Sequence, residues 1–258
     1  MSSPIGFFQR FSLRRTLLIF SLALVILPAA VLAVFAASYG YRSQVADARR
    51  QVSDLTELKE REIARWVDDR RGDLDVLATE ASLQQSIQRL RESPEGSSER
   101  TEAHARAAQR LNEFLQTKTA FIELYLMHPG SSVVEVSTDV VREGESYFLS
   151  PHFRQGLERF YLQPPIYDVA IKKPAMLMAR PMRDPDGETL AVLVARVNLA
   201  DLDVLLDTGV GDAYLVSKER RYLAGGEMEG APGGAIRSEG IEAALRGEQG
   251  VGRYSDYR

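Results

Sequence analysis

The chain has 258 residues, 45% of them apolar and 26% charged, with a formal charge of −4, so it lacks the basic excess of a nucleic-acid partner. With no cysteine there is no disulfide framework, and the compartment cannot be read from thiol usage. The three histidines are scattered, and no clustered His/Cys metal site is visible.

Residues 1–15 form a basic head carrying Arg10, Arg14 and Arg15. The run Thr16–Ala37, TLLIFSLALVILPAAVLAVFAA, follows, and no charge occurs between Arg15 and Arg42. A helix of that length reaches ~33 Å, enough for a hydrocarbon core of about 30 Å. Residues 16–41 are read as a transmembrane helix in which Pro28 is tolerable. A cleaved signal peptide competes with this reading, because Val34-Phe35-Ala36 resembles a small-residue cleavage site. Against it, the apolar run exceeds the roughly 7–15 residues of a signal-peptide core. Charge places the head in the cytoplasm and the trailing domain outside the inner membrane, with the lipid bilayer as a partner.

Residues 42–100 begin with a long membrane-emergent helix, Ser43 to about Leu90. Val45, Val52, Leu55, Leu58, Ile63, Trp66, Val67, Leu74, Leu77, Leu83, Ile87 and Leu90 recur mostly at three- and four-residue steps. Unbroken, it would extend roughly 70 Å. Its first half reads as leaving the membrane and its second half as packing on a sheet, and the Val45/Val52/Leu55 stripe suggests a homodimer contact. Ser93-Pro94-Glu95-Gly96-Ser97-Ser98 breaks it, and a second helix is expected from Thr101 to Thr119.

From Phe121 the period changes to that of strands. FIELYLMH and SVVEVST read as a hairpin through His128-Pro129-Gly130-Ser131, followed by short helical or irregular segments from Glu143 to Phe160. PIYDVA, PAMLMARPM and ETLAVLVARVNL are three further strands. The separator Arg183-Asp184-Pro185-Asp186-Gly187 lacks the remaining ligands of a calcium loop and reads as an ordinary hairpin turn. The order is that of an α+β, PAS-like antiparallel-sheet module at 101–200. The pattern then restarts: a linking helix at Asp201–Leu206, a hairpin of DAYLVS and RYLAGG, a helix at Ser238–Arg246 and a strand at Gly250–Tyr257. Residues 201–258 would thus be an incomplete second module. A sheet lacking its last two strands leaves unpaired backbone groups, so the chain is expected to be a piece of a longer protein.

The helix segment LKEREIARWVDDRRGDLDVLA, the run SPHFRQGLERFYLQPPIYD, the hairpin MLMARPMRDPDGETLAVLVARVNLADLDVLL and the restart GDAYLVSKERRYLAGG together resemble a double Cache domain. Such domains are extracytoplasmic sensors of bacterial transmembrane receptors: histidine kinases, diguanylate cyclases, phosphodiesterases and chemoreceptors. The resemblance implies that the first, membrane-distal module holds a small-molecule ligand. It also implies that the second leads to a membrane helix and an effector beyond this segment.

A two-residue turn between Asp184 and Gly187 would set Met178 opposite Leu193 and Arg180 opposite Ala191. One sheet face then carries Met176, Met178, Arg180, Ala191, Leu193 and Ala195. This is either a pocket floor with one charged anchor or a surface whose Arg180 reaches water at the strand end. Arg196 would project from the other face, to pack beneath a helix or pair with an acid. The resemblance adds Phe153, Arg154, Tyr167 and Asp168 as pocket residues. An arginine fork on a carboxylate with an aspartate on an ammonium would suit a zwitterion. The sequence departs from the amino-acid-binding pattern, however, since its only tryptophan is Trp66, far from the insert. Tyr147, Phe148 and Tyr161 read as pocket lining or as core.

No HExxH, GxSxG or phosphate-loop motif is present, so neither catalytic residues nor a cofactor are expected in this segment. The sequence therefore points to the small-molecule-sensing N-terminal portion of a histidine kinase or diguanylate cyclase, signalling by population shift. The alternative is a secreted or membrane-anchored ligand-binding protein without its own effector.

Overall fold

The computed structural model describes residues 13–168, 171–209, 213–225, 238–250 and 252. Helix α1 spans Leu13–Ala78, and the chain divides into two compact units, Met1–Thr56 and Glu57–Arg258. In the first unit, Leu17, Phe20, Leu24, Leu27, Val31, Val34 and Phe35 are 64–70% exposed. Among the described residues no helix is long and apolar enough to cross a membrane.

In the second unit α1 contributes Trp66, Leu74 and Leu77 to the core. The long helix predicted to reach Leu90 instead stops at Ala78 and restarts as α2, Ala81–Glu92. Glu80 is extended at the break (ψ 120°). Its carboxylate accepts from Ser82 Oγ at 2.6 Å and from Arg110 Nε at 2.6 and 2.8 Å. Arg110 belongs to α3, Ser98–Thr117, so the residue at the break ties the junction of the two helices to α3. Ser97 Oγ accepts from the Arg100 amide at 3.1 Å, a side-chain cap that starts α3. Ala103, Ala107, Leu111 and Phe114 then form one buried stripe at helical spacing.

The strands are β1 (Phe121–Met127), β2 (Val134–Ser137), β3 (Tyr161–Leu162), β4 (Ile166–Asp168), β5 (Lys173–Arg183) and β6 (Thr189–Asn198). They make one antiparallel sheet in the order β2-β1-β6-β5, with β3 and β4 both pairing β5. A 3₁₀ turn, Val140–Arg142, and helix α4, Pro151–Gly156, lie between β2 and β3. On one sheet face Leu124, Leu126, Met176, Met178, Met182, Leu193 and Ala195 share a core with α1, α2 and α3. On the other, Tyr125, Met127, Ala179, Val192 and Val194 pack with Phe153 of α4.

The β5–β6 hairpin turns through five residues rather than two. The Asp184 amide donates to the Glu188 carbonyl at 3.0 Å, Gly187 has φ +90°, and Asp184 Oδ1 accepts from the Glu188 amide at 2.8 Å. Met178 therefore opposes Ala195 and Arg180 opposes Leu193. This is a slip of two residues from the expected pairing, and a two-residue slip keeps every side chain on its expected face.

Helix α4 sits close to the sheet because Gly156 lacks a side chain: a Cβ there would lie 2.9 Å from Ala179 Cβ and Val192 Cγ1. Gly156→Ala should cost about 1–3 kcal/mol by forcing α4 off β5 and β6. Urea unfolding would measure it, and an unchanged midpoint would show that α4 gives way freely.

After β6, α5 (Ala200–Leu206) leads to a small hairpin of β7 (Leu215–Val216) and β8 (Tyr222–Ala224), then α6 (Glu239–Leu245). Ser238 Oγ caps α6 by accepting from the Ile241 amide at 3.2 Å. Apart from Gly250 and Gly252, the strand expected at Gly250–Tyr257 lies outside the described residues.

Candidate functional site

The sheet face under α4 holds a buried charge network. It begins with a β-bulge: Phe121 pairs with Val197 and Glu123 with Arg196, so two steps on β1 match one on β6. The bulge leaves Phe121 on the helix-covered face and turns Glu123 to the α4 side with Tyr125 and Met127. Glu123 is only 4% exposed. It takes the Arg142 guanidinium on Oε1, and Arg196 Nε lies 3.4 Å from its Oε2. Arg196 Nη1 lies 3.4 Å from Asp168 Oδ2 on β4. Arg142 Nη1 donates to Tyr147 Oη at 2.7 Å and lies 3.4 Å from Glu145 Oε2, to which Tyr147 Oη donates at 2.5 Å.

An aromatic layer adjoins these charges. The Tyr125 and Tyr147 rings stack with centroids 6.0 Å apart, and the His152 imidazole lies 5.2 Å from Tyr147. His152 Nε2 is 3.4 Å from Tyr125 Oη and 3.3 Å from Ser150 Oγ. Arg142 lies 5.9 Å from the Tyr125 ring centroid, within cation–π range.

Burial dominates the electrostatics. It raises the Glu123 carboxyl, an effect that Arg196 and Arg142 only partly offset. It also holds His152 down at about 4, with Gln163 opposing and Arg142 and Arg196 reinforcing. The Tyr125 phenol is raised by burial and then by Tyr147 and Glu123. Burial works against the Arg142 charge, but Glu123 and the Tyr147 phenol keep it firmly protonated. The site thus offers the Arg142 and Arg196 guanidiniums, the Glu123 and Asp168 carboxyl groups and, at neutral pH, an uncharged His152 imidazole. Such a set can recognise a carboxylate by planar forks and an ammonium by Asp168 or Glu123. Among the described residues no group of three His, Asp or Glu side chains converges on a metal position.

The predicted site residues divide among three places. Asp168 belongs to the network, Tyr167 precedes it on β4, and Phe153 is buried in the layer above the sheet. Met178 is fully buried on the opposite face. Arg180 lies on that opposite face too, paired with Asp75 of α1, and burial and then Arg71 lower its pKa. Arg154 is exposed on the outer side of α4, beside a depression of about 370 Å³. Tyr147 joins the aromatic layer, whereas Phe148 is 63% exposed. Sequence reasoning missed Glu123, Arg142, Tyr125 and His152. The available signal was Glu123 itself, a lone carboxylate inside the apolar strand FIELYLM. Arg196, expected to pack beneath a helix or find an acid, pairs with two.

This sheet, with helices on one face and an α4-bearing arm on the other, is the fold of sensor domains of bacterial chemoreceptors, histidine kinases and GGDEF proteins, as the double Cache resemblance implies. The ligand-binding domain of the Pseudomonas aeruginosa PAO1 amino acid chemoreceptor PctC, in complex with GABA, is similar with a TM-score of 0.54 and 20% identity. That match covers 78% of this chain and 83% of that one. The V. cholerae histidine kinase DctB sensor domain gives 0.55 at 11% identity, over 68% of this chain and 65% of that one. A domain of a sensory box/GGDEF family protein from Vibrio parahaemolyticus gives 0.51 at 16% identity, over 72% and 74%. No protein-family model and no curated protein matches the chain.

Proposed function

We propose that the chain is the extracytoplasmic small-molecule sensor of a transmembrane receptor, and that its ligand is a zwitterion bound over the Glu123–Arg142–Arg196–Asp168 network. The network is the observation that carries this reading: four charged groups are drawn into an otherwise apolar layer, where an uncompensated charge would be costly. The ligand carboxylate competes with Glu123 for the two guanidiniums, and its ammonium meets the carboxylates. The chemoreceptor domain in complex with GABA supports this ligand class.

The remaining parts of the proposal follow the layout of the chain. The run Thr16–Ala37 is the membrane anchor, supported by the high exposure of its apolar side chains, with the basic head cytoplasmic. Copies pair along the following segment of α1, where Val52 is 50% exposed. The distal module spans 101–200, and residues 201–258 begin a proximal module leading toward a kinase or cyclase effector. Signalling runs from the site through the sheet to α1, which the sheet holds by Arg180–Asp75 and α5 holds by Asp201–Arg70 at 2.9 Å. A ligand that favours one arrangement of this frame shifts its population.

Titration of the full chain in detergent with a panel of α- and ω-amino acids tests the ligand class. A ligand present at 100 times its Kd should add about 2.7 kcal/mol of stability, visible as a raised Tm. A panel in which simple carboxylates bind and zwitterions do not would overturn it.

A further inference from the structure

A polar cleft of about 940 Å³ lies where the end of α2 and the start of α3 meet the β1–β2 hairpin and β2. Two of the hydrogen-bond donors at its wall face each other. His128 Nδ1 accepts from the Gly130 and Ser131 amides at 2.9 and 3.1 Å, which fixes the ring's proton on Nε2. That Nε2 lies 3.4 Å from Arg91 Nη1, a nitrogen that only donates. Two N–H groups cannot satisfy one another, so the pair is built to share an acceptor. Arg91 Nε and Nη2 are also buried without a hydrogen-bond partner among the described residues. Glu135 ion-pairs with both arginines, at 3.6 Å from Arg91 and 3.7 Å from Arg100, but too far to accept a hydrogen bond from either, so the Arg91 donors still lack an acceptor.

The other carboxylates at the cleft do not fill this role. Glu143 is engaged by His104 Nε2 at 3.1 Å and by the Ser137 amide at 2.9 Å, and Glu95 lies exposed at the rim. Arg100 uses Nη1 to cap α2 at the Leu90 carbonyl, leaving its Nη2 directed at Glu135. We propose that this cleft binds a small oxyanion, a carboxylate or a phosphate, with one oxygen on the cleft side accepting from both Arg91 Nη1 and His128 Nε2. Burial, followed by the Arg91 charge, lowers the His128 pKa, so the ring stays neutral and keeps its single N–H for the ligand. This site is separate from the Glu123 network and does not rest on the proposed ligand there.

The test is titration of the full chain with inorganic phosphate and, separately, acetate, read from the His128 ring ¹⁵N signals. Saturation with a Kd on the order of 1 mM or tighter is expected for at least one probe. Preference for phosphate or for acetate identifies which oxyanion the cleft takes. Arg91→Gln and His128→Asn should each weaken binding at least tenfold. The asparagine retains a side-chain acceptor for the Gly130 and Ser131 amides, so the hairpin survives while the Nε2 donor is lost. No saturation by about 10 mM of either probe, or wild-type affinity in His128→Asn, overturns the proposal.

Discussion

Replacing Arg196 with methionine is expected to destabilise the second unit by about 3–5 kcal/mol and to abolish zwitterion binding. Removing one member of a buried charge set costs this much because its partner keeps the desolvation penalty without the attraction. Glu123, 4% exposed, would be left with Arg142 alone, and Asp168 would lose its contact at 3.4 Å. Urea unfolding measures the first effect. The double variant Glu123→Leu/Arg196→Met should recover part of that stability, since the two most buried charges then leave together, while Arg142 keeps Glu145 and Tyr147 and Asp168 still loses its Arg196 contact. It should not recover binding. A double variant that bound the amino-acid panel like the wild type would place the ligand elsewhere.

Acidification should weaken the fold through His152. Its folded-state pKa of about 4 lies below the ordinary value of 6.5, so between those values the unfolded chain takes up a proton that the folded chain refuses. The contribution is complete above pH 6.5 and is lost as pH falls toward about 4. A difference of that size corresponds to roughly 3 kcal/mol. His152→Gln, which keeps polar reach toward Tyr125 and Ser150, should flatten the stability profile across this window. His128 is shifted in the same sense and Glu123 in the opposite one, its raised pKa favouring the fold at low pH. The comparison is therefore the wild-type slope against the His152→Gln slope. Identical slopes would mean that the imidazole opens to solvent before it titrates.

The elements were readable from the sequence because each carries its own period. The strands FIELYLM and TLAVLVARVN and the helix expected from Thr101 to Thr119 fall within two to three residues of where the change of period puts them. What alternation cannot say is which face the helices cover. All of β6 between its end residues is buried, so both faces read as apolar. Arg180 falls on the expected face of β5, yet that face lies under α1, whose Asp75 meets it. The bulge between Phe121 and Glu123 was equally hidden, because strict period two would have kept these residues together. Arg142 comes from a 3₁₀ turn whose sequence carries no period at all.

The pairing of β1 with β6 bears on how the molecule reaches this state. Phe121 finds Val197 across a segment of roughly 75 residues, whereas α2 and α3 are joined by a few residues and pack locally. Loop closure of that span must precede the contacts that reward it. The helical hairpin is therefore expected to form before the central ladder, whose closure draws Glu123 and Arg196 together. Hydrogen exchange during refolding would show protection in α2 and α3 ahead of β1 and β6. Until β6 is available, the edge of β1 away from β2 carries unpaired backbone groups, and Glu123 puts a charge into that apolar strand, a feature that disfavours strand association.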